Sequence, residues 1–253
     1  MSERYAFELI QKGMRLDERK FDEFRPINIK LGVSNKAEGS AQVTLGETVV
    51  IAGVKMKIGE PFADTPNEGT LMVGAEFTPL SSPDFESGPP SEDAVELARV
   101  VDRGLRESHC LDLEKLCVTP KEKVWSVYVD LHIINHQGNL LDACALAAIA
   151  ALQNSQIPKL EEDTILRGDY AGKLPVGFTP INVTVGKIGN KFILDPLMQE
   201  ENILDSKLSI SVRDDDKICA LQKMGEHGID LDDLEKMFDM AIKKSKELRE
   251  LVK

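Results

Sequence analysis

Arg99, Arg103 and Arg106 recur at spacings of four and three residues in SEDAVELARVVDRGLRES, Ser91 to Ser108. On a helix of about 100° per residue the three fall within roughly 60° of one another, with Ala94, Leu97, Ala98, Val101 and Leu105 opposite. Such a row can grip consecutive phosphates, because each guanidinium presents a rigid fork of donors and stays charged at any working pH. Glu96 precedes Arg99 by three residues and Asp102 precedes Arg106 by four, so from the helix alone ion pairs on a solvated face are the more ordinary reading. A second group is acidic: Asp195, Glu200, Glu201 and Asp205 cluster in LDPLMQEENILDSKLSISV. Grouped carboxylates could hold Mg²⁺ or supply a general acid for phosphate chemistry, or be solvated charges leading into a strand.

Other chemistry is sparse. His109, His132, His136 and His227 sit in no triad context, although Asp130 and His132 share one side of an alternating stretch and could pair. Cys110, Cys117, Cys144 and Cys219 are scattered, with no C-x-x-C and no histidine at ligand spacing, so neither metal nor cofactor is expected. Walker, dinucleotide and H-E-x-x-H motifs are absent.

The elements that must position these residues are legible in part. Ser91 is the expected N-cap of the arginine helix, with Glu92 and Asp93 favoured by its dipole. Residues from about Glu3 to Lys12 predict a short helix, and Arg15 to Ile27, with Arg15, Asp17, Arg19 and Arg25 among Leu16, Phe21 and Phe24, a polar extended segment ended by Pro26. Gly39 to Gly59 predicts a hairpin turning near Gly46 and Glu47, its second strand buried on both faces. Glu60 to Pro90 is a long loop without lysine or arginine. Lys123 to Asn135 alternates as a strand, and Leu140 to Asn154, almost uncharged, predicts a central helix. Ile157 to Gly177 reads as an irregular connector, and a second hairpin turns at Gly189 and Asn190. Strands at Lys207 to Val212 and Ile218 to Gln222 precede a helix from about Leu231 to Lys253. The fold class is α+β, and the recurrence of hairpin, helix, strand and helix suggests an internal duplication.

With 42% hydrophobic and 29% charged residues, the 253-residue chain has the composition of a soluble globular protein. No apolar run approaches spanning length and MSERYAFELIQKGMRLDERK is too charged for a signal peptide, so a cytoplasmic protein without membrane association is expected. A formal net charge of −12 sets the overall field against nucleic acid. RNA would need a local basic stripe or a more basic partner.

At RLDERKFDEFRPI and GSAQVTLGETVVIAGV the sequence resembles the RNase PH family of phosphate-dependent exoribonucleases, with ELARVVDRGLR, KVWSVYVDLHIINHQGNLLDACALAAIAAL and LDPLMQEENILDSKLSISV following in the family's order. The resemblance covers essentially the whole chain, and is nearest to the non-catalytic RNase PH-like subunit of the archaeal exosome ring. It implies one RNase PH-like domain over 1–253, with ribosomal-S5-like β-hairpin and helix halves near 1–156 and 157–253. Active members carry a Gly-Thr/Ser-Arg segment at the start of the central helix; here Gly138, Asn139, Leu140 and Leu141 stand there, without the arginine. Six residues beyond Glu201, where the family pattern has a carboxylate, stands Lys207. Asp205 would replace it only through a two-residue slip, roughly 7 Å along an extended chain.

The resemblance therefore implies no independent catalysis. It assigns Arg99 and Arg103, with Arg106 on the same stripe, to RNA at the interface with a catalytic RNase PH-like partner. Three such heterodimers would form a six-membered ring, capped by S1- or KH-bearing subunits, that shortens single-stranded RNA from the 3′ end. Two alternatives stay open: a self-sufficient phosphorolytic exoribonuclease with Asp205 as acid, and a ring scaffold without RNA contact.

Overall fold

One uniformly apolar helix and the alternating burial of the strands around it set the layering. The computed structural model describes residues 3–162 and 164–252. Helix α1 (Glu3–Gln11) precedes strands β1 (Ile27–Leu31), β2 (Gly39–Leu45), β3 (Thr48–Gly59) and β4 (Thr70–Glu76), then α2 (Glu92–Glu107). A 3₁₀ turn at Glu114–Leu116 leads to β5 (Cys117–Thr119), β6 (Lys123–Asn135) and α3 (Leu140–Gln153). Next come β7 (Gln156–Glu161), β8 (Thr164–Lys173), β9 (Ile181–Ile188), β10 (Lys191–Leu194), α4 (Met198–Glu201), β11 (Ser206–Val212), β12 (Ile218–Met224) and α5 (Leu231–Arg249).

Strands β1-β2-β3-β6-β4 form one sheet, with β5 also on β6, and β10-β9-β11-β12 form a second. Helix α3 lies between them, packing on β2 and β3 on one side and β9 on the other, with α2 beside it. Helix α5 covers the far side of the second sheet through β9 and β11. The far side of the first sheet is open over β4 and β6, where Met72, Gly74, Glu76, Asp130 and His132 are exposed. None of the described helices is long and apolar enough to cross a membrane.

Several expectations need correction. β3 is not buried on both faces: burial alternates from Thr48 to Met56, as befits an antiparallel sheet with one open side. Residues 157–177 are not an irregular connector, because Gln156–Glu161 and Thr164–Lys173 pair as a hairpin. Its exposed β8 residues give no apolar alternation to read. The long loop also contributes β4, parallel to β6. Both expected hairpin turns are present, at Gly46 and Gly189 with φ +58 each. At Gly46 an added Cβ would also run into the Arg25 side chain. The terminal helix runs to Arg249, and Lys253 lies outside the described residues.

The central helix carries one charge into the core. Asp142 is fully buried and accepts bonds from Asn139 Nδ2 (3.0 Å), Asn182 Nδ2 (2.8 Å), Thr184 N (3.1 Å) and Thr184 Oγ1 (2.8 Å), tying α3 to β9. Burial pushes its carboxyl up to about 6 although the four bonds pull the other way. A folded pKa above the unfolded one stabilises the fold below the unfolded value, and that contribution is lost as pH rises through the folded value. Urea unfolding should therefore show wild type weakening relative to D142N by on the order of 3 kcal/mol between pH 4 and 7. A gap that is constant with pH would contradict this.

Candidate nucleic-acid interface

Helix α2 starts as its sequence demands, with Ser91 Oγ accepting from Ala94 N at 3.2 Å. Ala94, Leu97, Ala98, Val101, Gly104 and Leu105 are buried. A Cβ on Gly104 would meet Ser211 Oγ at 2.7 Å, so the helix rests directly on β11. This packing fixes the outward face. Arg99 and Arg103 are exposed there and, among the described residues, make no hydrogen bond or ion pair. The Glu96 carboxylate turns instead to Gln222 Nε2 at 3.3 Å. Both arginines border a cleft of about 590 Å³ between α2 and β12 that also meets Val95 and Leu221.

Arg106 behaves differently. Its Nε and Nη2 donate to Asp102 at 3.1 and 2.9 Å, and Nη2 also reaches the Leu71 carbonyl at 2.7 Å. The Asp102 bond raises its pKa further, against partial burial. Arg106 thus ties α2 to β4, while Arg99 and Arg103 keep their donors free among the described residues.

The start of α3 is built from distant residues. Asn139 adopts the left-handed conformation (φ +54, ψ +48), and its N–H donates to Glu201 Oε2 at 3.0 Å. Lys207 Nζ holds the other oxygen of Glu201 at 2.6 Å. Burial alone would raise the Glu201 pKa, but the charge and bond of Lys207 outweigh it and hold the carboxyl below its ordinary value. His136 is held below its ordinary value by burial, with Lys207 and Arg25 adding and Glu201 opposing. Its ring stacks on Phe85 at 5.6 Å, and with Phe77, Leu140 and Leu141 it lines a cleft of about 360 Å³. A helix N-terminus is where an anion is best received, and here a carboxylate of the chain itself occupies it.

The rest of the acidic cluster is not solvated. Asp195 accepts from Arg25 Nε (2.8 Å), Nη2 (2.7 Å) and N (2.8 Å), Arg19 Nη1 (2.9 Å) and Asn139 Nδ2 (3.1 Å). Glu200 accepts from Arg15 Nε (3.2 Å) and Nη2 (2.6 Å). Asp195, Glu200 and Arg15 are almost wholly buried. Asp205 Oδ2 accepts from Gly189 N at 2.6 Å, securing the β9–β10 turn, and Asp205 is not among the residues lining either cleft. Among the described residues no group of three or more His, Cys, Asp or Glu is placed to hold a metal.

Two pairings differ from sequence expectation. His132 Nδ1 meets Glu76 Oε2 at 3.1 Å and not Asp130, because alternate residues of one strand project side by side while β4 lies directly across. The Arg15, Arg19 and Arg25 network with Asp195 and Glu200 is not legible in the sequence, since its partners stand 170 to 185 residues apart. The only available signal was the density of arginine among apolar residues in a segment too short to solvate all of it.

Removing a buried carboxylate that serves two guanidinium groups should be severe. D195A is expected to lose about 3–5 kcal/mol in urea unfolding, whereas R106A, at an exposed pair, should lose about 1 kcal/mol or less. Equal losses would deny Asp195 this role.

Comparison with known proteins places this geometry among relatives. Residues 23–158 match the 3′ exoribonuclease family, domain 1 (RNase PH), and 179–244 match its domain 2. An exosome complex component Rrp42 of Methanocella arvoryzae is 46% identical over 250 residues, covering 97% of this chain and 93% of that protein. That of Archaeoglobus fulgidus is 47% identical over 249 residues, with 98% and 95% covered. A solved structure described as the Archaeoglobus fulgidus exosome with RNA bound to the active site superposes with TM-score 0.94 at 47% identity, covering 99% of this chain and 97% of that one. An archaeal exosome core superposes with TM-score 0.89 at 43% identity, covering 99% and 95%.

Proposed function

Because the chain belongs to the RNase PH family of 3′ exoribonucleases, we propose that it is a non-catalytic subunit of an archaeal-type exosome ring that takes part in 3′-to-5′ RNA degradation. It acts as one RNase PH-like unit over 1–253, with halves near 1–156 and 157–253, in the cytoplasm. It pairs with a catalytic RNase PH-like subunit, three such pairs closing a ring that carries S1- or KH-bearing caps. The observation that carries the non-catalytic reading is the start of α3. The Asn139 N–H is bound by the Glu201 carboxylate, Lys207 is spent on that carboxylate, and Leu140 and Leu141 stand where a guanidinium fork would be needed. Inorganic phosphate would meet a resident negative charge and two isobutyl groups.

The contribution of this chain is electrostatic. Phosphorolysis brings an attacking anion to a polyanionic strand, and cations fixed nearby lower that repulsion without reorganising. Arg99 and Arg103 have that character: their helix is packed from beneath and, among the described residues, their donors are unspent. Arg106 contributes less, being tied to Asp102 and the Leu71 carbonyl. A net charge of −12 does not cancel the effect, since salt screens charges more than about 10 Å away.

The test is release of nucleoside diphosphates from single-stranded RNA in phosphate buffer. The chain alone should release none, and its mixture with the catalytic partner should release them. R99E with R103E should slow the mixture at limiting RNA by about tenfold or more with assembly intact. The salt dependence of RNA binding should flatten by about 0.7 per lost phosphate contact. Activity of the chain alone would return Asp205 to the catalytic role, and unchanged turnover of the double variant would reduce the chain to a scaffold.

A further inference from the structure

On the open side of the first sheet, Asp130 of β6 has Gly53 of β3 and Gly74 of β4 as its direct neighbours in register. Glycine inside a strand forfeits side-chain packing and backbone entropy, and often marks a place where a ligand or another backbone comes close. Neither glycine is demanded by the fold. Neither has a positive φ. A Cβ on Gly53 would meet nothing within 4 Å, and one on Gly74 only Asp130 Oδ1 at 3.5 Å, an ordinary contact. A β-branched residue would suit a strand better at both positions.

Between the glycines, the Asp130 carboxylate is exposed and, among the described residues, has no hydrogen bond or ion pair. The nearby cations are otherwise engaged: Lys55 with Glu38 at 3.1 Å, Lys57 over the Tyr128 ring at 5.3 Å, and His132 against Glu76. Tyr128 and Met72 stand in the adjoining row as an apolar rim. The result is a shallow notch, walled by side chains along the strands and floored by bare backbone across them, with one uncompensated negative charge in its centre.

We propose that this notch receives an arginine presented by another protein subunit of the assembly. A planar guanidinium can lie on the glycine backbone, meet the carboxylate with two parallel bonds and pack its stem on Met72 and Tyr128. RNA is disfavoured there, since its phosphates would face Asp130 and Glu76. The inference rests on the ring reading above, and names a surface that reading leaves unassigned.

Carbodiimide labelling of carboxylates, read by mass spectrometry, tests it on the full chain alone, with the catalytic and cap subunits, and with single-stranded RNA. Asp130 should label in the free chain, lose its labelling in the protein complex, and be unaffected by RNA alone. In parallel, G53V, G74V and D130R should leave the Tm of the free chain unchanged or raised, yet weaken its association by about tenfold or more. A complex in which Asp130 labels as in the free chain, or in which all three variants assemble like wild type, overturns the notch and leaves the ring reading standing. Protection by RNA alone, or a lowered Tm in both glycine variants, also overturns it. Failure of the wild-type chain to join any complex removes the ring reading and the notch with it.

Discussion

A single buried carboxylate organises the region around the candidate sites. Asp195 receives Arg19 and Arg25 from the N-terminal segment and Asn139 from the start of the central helix, while its own backbone carbonyl accepts from Arg15. Taking an ion from water costs several kcal/mol even after relaxation, and the cost is offset only when every lone pair finds a donor. Asp195 therefore acts as a geometric condition: the N-terminal segment, the end of β10 and the first residue of α3 must arrive together. Asn139 is held in its left-handed conformation by this set, which aims its N–H at Glu201.

What the sequence discloses and what it hides follow from distance along the chain. Helix α2 is legible because its period, cap and first-turn acids are all local, and they place Arg99 and Arg103 outward before any tertiary contact is known. The alternation of β6 and the apolar run of α3 are local signals too. The β7–β8 hairpin is silent because β8 lies exposed from Arg167 to Lys173, so no apolar period is imposed on it. Arg15, Arg19 and Arg25 look like solvated charges until their partners at Asp195 and Glu200 are brought to them. Lys207 is legible as a base in an acidic stretch, but its use, holding Glu201 against the helix start, depends on a side-chain contact that no spacing rule supplies.

Charge placement gives an acidic protein a locally basic face. Most carboxylates of the acidic stretch are consumed internally, by guanidinium groups at Asp195 and Glu200 and by Lys207 at Glu201. Among the described residues, Arg99 and Arg103 of α2 are left without a hydrogen bond or ion pair. The local field at the helix is thus set by what the fold leaves uncompensated, and the formal total describes only the distant field.

The central helix has a consequence for how the molecule comes apart. From Leu140 to Leu152 only Ala145 is not buried, and the first sheet claims one flank while β9 claims the other. Detaching either sheet would bare an apolar cylinder with almost no charge to solvate it, and would strand the Asp142 carboxylate without Asn182 and Thr184. The two sheets are therefore expected to unfold together, in one cooperative event.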